Sequence, residues 1–164
     1  MPITLEPIRK EQKSVFIQLM ELYNYDFSLY SGDDVNEYGY YGYDHIDDYG
    51  NEEGRFAYFI RVADKLAGLV LVRTACEFND LPNPRSIAEF FVLQKYRRQG
   101  VGKAAAILAF DKHPGDWEVS QFGNNLPAQQ FWQAVIAAYT GGNYQTFGPL
   151  ADAQAHVGFT FTNA

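Results

Sequence analysis

Cysteine is almost missing from this chain: Cys76 stands alone among 164 residues, so no internal disulfide can form. Stability must come from a core instead, and 47% hydrophobic residues over the length of about one domain, roughly 150 residues, suffice to build one. Long apolar runs are missing too. The longest, Leu66 to Val72 and Ala104 to Phe110, have seven residues each, against the roughly 20 that a membrane-spanning helix needs. Met1 to Lys10 lack the basic start and apolar stretch of a secretory signal. A lone thiol without such a signal leads to the expectation of a reducing, cytoplasmic setting and no membrane partner. A basic surplus is also lacking: the formal net charge is −7, which argues against nucleic acid as a partner. Histidine is scarce. His45, His113 and His156 lie far apart and far from Cys76, without ligand spacing, so no metal is expected.

The acidity that is present sits in one place. Ser31 to Gly54 holds eight acids (Asp33, Asp34, Glu37, Asp44, Asp47, Asp48, Glu52, Glu53) and no Lys or Arg; 20 less 8 leaves 12 acids against 13 bases elsewhere. Five tyrosines (Tyr38, Tyr40, Tyr41, Tyr43, Tyr49) share the segment, with no sustained periodicity. A long loop is expected, with one short helix around Asp44 to Tyr49. Such loops in compact domains are functional or disordered, and the aromatic content favours function. The loop is either a wall that draws cationic amines to an acceptor site or a solvated acidic face.

Around that loop the pattern is regular. Ile3 to Ile8 reads as a strand and Glu11 to Phe27 as an amphipathic helix with Val15, Leu19, Leu22 and Phe27 near one face. Phe56 to Ala63 and Leu66 to Thr74 read as a hairpin about Asp64-Lys65, a dipeptide without the favoured glycine. Ser86 to Leu93 is a strand, Val101 to Asp111 a helix, Trp117 to Phe122 a strand, Leu126 to Tyr139 a helix with Pro127 in its first turn, and Val157 to Phe161 a last strand. The unit from Ser86 to Phe122 is β-α-β, with a right-handed crossover and parallel strands. No repeat, low-complexity tract or linker divides residues 1–164, so a single α/β domain is expected, a mixed sheet with helices packed on it.

Phe90 to Lys103 is the chemically informative stretch. A strand runs through a short turn into a helix, Gly100 and Gly102 let a ligand approach the backbone, and free first-turn N–H groups attract anions. Arg97, Arg98 and Lys103 add mobile positive charge. A P-loop would need Gly at 97 and Ser or Thr at 104, where Arg97 and Ala104 stand. Gly100 to Ala105 matches the dinucleotide fingerprint G-x-G-x-x-A, but Gly100 lies too far beyond the strand and no acid ends the next one at the required spacing.

The string Arg97-Arg-Gln-Gly-Val-Gly102 satisfies R/Q-x-x-G-x-G/A, preceded by Val92 and Tyr96-Arg97 in the pattern V-x-x-x-[YF]-R. One strand later, Asn125-Leu-Pro-Ala-Gln-Gln-Phe-Trp132 follows N-x-x-A-x-x-F-Y. In these two motifs the chain resembles the GNAT superfamily of acyl-CoA-dependent N-acetyltransferases. The resemblance implies a mostly antiparallel mixed sheet, splayed between two parallel strands, and transfer of an acetyl group from acetyl-CoA to a small-molecule or peptide amine. It further implies that backbone groups of Phe90, Phe91 and Val92 meet the pantetheine and thioester. The amides of Arg98, Gln99, Gly100, Val101, Gly102 and Lys103 would hold the pyrophosphate, Asn125 would approach the pantetheine arm, and Arg97 and Trp132 would also bind the cofactor.

Trp132 departs from that pattern. Many members carry Tyr there, whose hydroxyl can protonate the leaving thiolate, whereas an indole N–H is a hydrogen-bond donor and no practical acid. A retained cofactor site with a lost acid would also suit a non-catalytic acyl-CoA-binding module. For the proton that the amine must lose, Glu89 is the candidate base: alternation puts it with Ile87, Phe91 and Leu93, apolar company that raises a carboxyl pKa. The alternative is an ion pair of Glu89 with Arg73 or Arg85. His45 and His156 are weaker candidates, and the Tyr23, Tyr25, Phe27, Tyr30 stretch is either helix packing or a substrate wall.

Overall fold

Alternation in the two most apolar strands decides the architecture. Along β2 (Arg55–Val62) and β3 (Lys65–Arg73), Phe59, Leu69 and Leu71 are buried on one face, and Tyr58, Ile60, Val70 and Val72 on the other. Strands buried on both faces need a cover on each. Helix α1 (Lys13–Ser31) supplies one, seating Phe16, Leu19 and Met20 on Phe59, Leu69 and Leu71. Helices α2 (Val101–Lys112) and α3 (Leu126–Thr140) supply the other. The buried face of α2 is largely Val101, Ala105, Ala106 and Ala109, small enough to lie close to the sheet, and Phe110 fills the space by Trp117 and Phe161. Burying a side chain such as Phe110 contributes about 2 kcal/mol.

The computed structural model describes all residues, 1–164. With β1 (Ile3–Pro7), β4 (Pro84–Val92), β5 (Asp116–Gln121), β6 (Gln145–Phe147) and β7 (Val157–Thr162), the strands form one mixed sheet in the order β1-β2-β3-β4-β5-β7-β6. Only β4 and β5 run parallel; the other pairs are antiparallel. The parallel pair is short, Pro84 to Ser86 against Asp116 to Glu118, and beyond it the two strands part. This is the expected splay. No helix is long and apolar enough to cross a membrane.

Several boundaries differ from expectation. Helix α1 continues to Ser31, where Gly32 at φ 73° ends it by donating its N–H to the Ser28 carbonyl. The β2-β3 turn is Ala63-Asp64 rather than Asp64-Lys65, because Val62 pairs with Lys65 and Ala63 accepts φ 53° in place of a glycine. Strand β6 was not foreseen; three residues on a sheet edge carry no readable period. The Ser31 to Gly54 segment holds only a short turn of 3-10 helix at Ile46–Asp48, inside the expected place.

One difference matters for chemistry. Leu71 pairs with Glu89 and Val72 with Ile87, so Ala88 is the extra residue of a β-bulge. Strict alternation fails there. Ile87 packs towards α2 and α3, whereas Glu89 turns with Phe91 towards α1.

Candidate active site

Where β4 and β5 part, a cavity of about 990 Å³ opens, flanked by the first turns of α2 and α3. Its first wall follows from backbone geometry. Arg98 at φ 60° and Gly100 at φ 79° curl the chain so that the N–H groups of residues 98 to 103 find no partner in the protein. The series ends at Ala104, whose N–H returns to the Gly100 carbonyl at 3.1 Å. Unpaired amides at a helix start form a cradle for anionic oxygen, which the Arg98 and Lys103 side chains on the same wall reinforce. Gly102 lies close under Phe131: a Cβ there would meet the ring at 3.0 Å, so the ring would have to shift to admit it.

Phe90, Phe91, Val92, Arg97, Arg98, Gly100, Gly102, Lys103, Asn125 and Trp132 all line this cavity, as does Glu89. Gln99 and Val101 do not. The Gln99 amide bonds the Lys95 carbonyl at 2.7 Å and the Val101 side chain is buried in the core, which leaves only their backbone N–H groups for a ligand. Arg97 also departs from expectation. Its Nε donates to the Val92 carbonyl at 2.8 Å and its terminal nitrogen pairs with Asp26 at 2.9 Å. The guanidinium therefore ties the turn to β4 and α1, and it occupies a carbonyl that was expected to face the pantetheine. Asn125 caps α3, its Oδ1 accepting from the Ala128 N–H at 3.2 Å, and its Nδ2 has no protein partner. Trp132 stands edge-on to Phe90 and Phe131, with ring centroids at 4.9 and 5.0 Å, and its N–H makes no hydrogen bond.

The second wall is made of side chains from distant segments. Burial drives the Glu89 carboxyl up to about 7, while the Tyr23 hydroxyl, donating to it at 3.3 Å, pulls the other way. The ion pair with Arg73 or Arg85 does not form; the Arg85 guanidinium bonds the Pro84 carbonyl. Burial and the neighbouring Glu89 hold the Tyr23 hydroxyl well above its usual range, so it stays a donor. Tyr23 stacks on Phe27 at 5.6 Å, and both rings, with Tyr30, line the cavity while packing. Tyr25 instead faces solvent.

From the acidic segment only Tyr43 and His45 reach the cavity. The Glu21 carboxylate anchors that loop by accepting the N–H groups of Tyr41 and Gly42, each at 2.8 Å. None of its eight acids lines the space. Asp47 pairs with Lys13, Asp48 with His45 and Glu52 with Arg55 at the rim. The segment thus reaches the cavity through Tyr43 and His45, while its acids stay outside the lining.

Of the other lining groups, Glu118 and Gln121 carried no signal in the sequence, whereas His156 is a weaker candidate base. Glu118, 2% exposed on β5, accepts the N–H groups of Glu77, Phe78 and Asn79 and the Asn79 amide at 2.8 to 3.1 Å. It thereby fixes the segment between β3 and β4 against β5. Gln121 Oε1 is buried without a partner, an acceptor left for a ligand N–H. His156 lines the far end, its Nδ1 held by Asp152 at 2.5 Å.

Comparison with known proteins places the chain by family and by fold. The model of the Acetyltransferase (GNAT) family matches residues 17–135. No curated protein matches in sequence. A GNAT-family acetyltransferase from Streptococcus agalactiae superposes with TM-score 0.71 at 17% identity, over 99% of this chain and 96% of its own. An acetyltransferase from Thermus thermophilus gives 0.68 at 14%, over 98% and 96%. The PaiA N-acetyltransferase of Thermoplasma acidophilum, in complex with coenzyme A, gives 0.59 at 11%, over 99% of both chains.

Proposed function

The chain belongs to the GNAT acetyltransferase family, and from that premise we propose that it moves the acetyl group of acetyl-CoA onto an amine, with Glu89 as the base. The donor supplies an activated acyl group; everything else is the work of this chain's residues. The fit to coenzyme A rests on the cradle: six consecutive free amides from residue 98 to 103, Arg98 and Lys103 beside them, and a glycine at 102 where a Cβ would collide with Phe131. Those groups hold pyrophosphate. Beyond them, Asn125 Nδ2 and the aromatic floor of Phe90, Phe131 and Trp132 take the pantetheine arm.

The observation that carries the catalytic half is Glu89, buried in the same cavity with its pKa near 7. An amine arrives largely as ammonium and must shed a proton before its lone pair can attack a carbonyl carbon. A carboxylate poised near the working pH receives that proton at its Oε atoms, and Tyr23 fixes its orientation. Trp132 offers no acid for the leaving thiolate; either another group in the cavity supplies the proton or the thiolate leaves unassisted, which its own pKa near 8 to 9 permits.

Trp132 is also the one feature that suits a non-catalytic acyl-CoA-binding module. Coenzyme A release, measured with a panel of amines at pH 6 to 9, separates the two. Turnover whose kcat/KM rises through pH 7 and loses that limb in Glu89→Gln supports the enzyme; tight acetyl-CoA binding with no turnover on any amine rejects it.

A further inference from the structure

Five cationic side chains line the cavity, and four have an evident task. Arg98 and Lys103 flank the amide cradle, Arg97 pairs with Asp26, and Arg55 pairs with Glu52 while lying 5.5 Å over the Tyr49 ring. Arg73 is the fifth. It makes no ion pair and no hydrogen bond, and it lies at the end of β3 directly across from Arg55. On β3 it shares a face with Leu71, the residue that pairs with Glu89, because the bulge lies in β4 and leaves the alternation of β3 intact. Arg73 therefore lies two residues along β3 from the row of Glu89, on the face that carries Leu71.

We infer that Arg73 binds a carboxylate of the acceptor, so that the acceptor is an amine that also bears a free carboxylate, as an amino acid does. This rests on the transferase reading and names its substrate class. An unpaired guanidinium in the same cavity as a proton-accepting carboxylate is the complement of a zwitterion, with the ammonium at Glu89 and the carboxylate at Arg73. Arg73 opposes a second positive charge on the acceptor, and none of the loop's eight acids lines the cavity to offset it.

The test compares the wild type with Arg73→Ala and Arg73→Lys, first on the twenty standard amino acids. The best is then set against its carboxamide and its decarboxylated amine, with rates corrected for unprotonated amine. Calorimetry of the same compounds on protein saturated with coenzyme A gives a second readout. The expected result is a preference for the free carboxylate that Arg73→Ala removes by raising KM about tenfold or more, with kcat and the carboxamide KM nearly unchanged and partial recovery in Arg73→Lys. Equal KM for carboxylate and carboxamide in the wild type overturns the inference, as does an equal rise for both in Arg73→Ala. If no amine turns over, Arg73-dependent binding of an amino acid still supports the carboxylate site and rejects only the transferase reading. Absence of both turnover and binding overturns the inference.

Discussion

The wall of residues 98 to 103 is one unbroken run of chain that presents backbone N–H groups, whereas the rest of the lining gathers Tyr23, Arg73, Glu89 and His156 from four separate stretches and presents side chains. Recognition by backbone constrains residue size, because glycine must stand where a ligand or a ring comes close, and so it leaves a local signature. Recognition by side chains constrains only where distant segments meet. The two walls differ in burial chemistry as well: open amides and exposed cations on one side, a desolvated carboxyl under Tyr23 on the other.

If that division holds, damage to the first wall removes the donor and damage to the second removes chemistry. The largest effect is expected for Gly100→Val and Gly102→Val. The first forces a β-branched residue to φ 79° and the second displaces Phe131. Both should weaken acetyl-CoA binding by about 100-fold or more in calorimetry, since the amides then no longer face the phosphates. Wild-type affinity in both variants would break the comparison.

Next in size is Glu89→Gln, which keeps shape but accepts no proton. Turnover should fall roughly 100-fold at neutral pH, the scale of losing a general base, with acetyl-CoA affinity unchanged. Amines already unprotonated at assay pH should lose less; an equal loss for aromatic and alkyl amines would reject Glu89 as the base.

The same residue makes a stability prediction of defined sign. Because burial raises the folded pKa to about 7, the fold holds its proton more tightly than the unfolded chain between about pH 4.5 and 7. Glu89 therefore costs stability as pH rises through that window, by at most about 3 kcal/mol. Glu89→Gln should raise Tm at pH 8 and leave it nearly unchanged at pH 4.5. A Tm that falls at pH 8 would show that the carboxylate is stabilised after all.

Smaller effects sharpen the boundary between the walls. Trp132→Phe keeps an aromatic against Phe90 and Phe131 and should reduce kcat by only a few-fold, while Trp132→Tyr offers an acid and should restore or exceed the wild-type rate. Asp44, Asp47 and Asp48 changed together to Asn should alter the acceptor KM by less than about twofold, since none of them lines the cavity and exposed charges are screened. A larger rise in KM would return the loop to the acceptor site.

Much of this molecule was determined by local patterns in the chain. Alternation over Phe56 to Ala63 and Leu66 to Thr74 places two strands, Asn125 and Pro127 start a helix, and Arg97 to Gly102 marks an anion cradle. Each of these depends on neighbours within about one turn or one hairpin, so spacing alone expresses it. Only the tertiary structure decided the rest. The bulge at Ala88 turns Glu89 away from Ile87, and Tyr23, 66 residues earlier, donates to it. Asp26 takes Arg97 out of the cradle from 71 residues away, and Glu118 collects N–H groups some 40 residues upstream. Those contacts are set by how β4 and β5 part and by which face of α1 the core accepts. Such distances through space have no period along the chain.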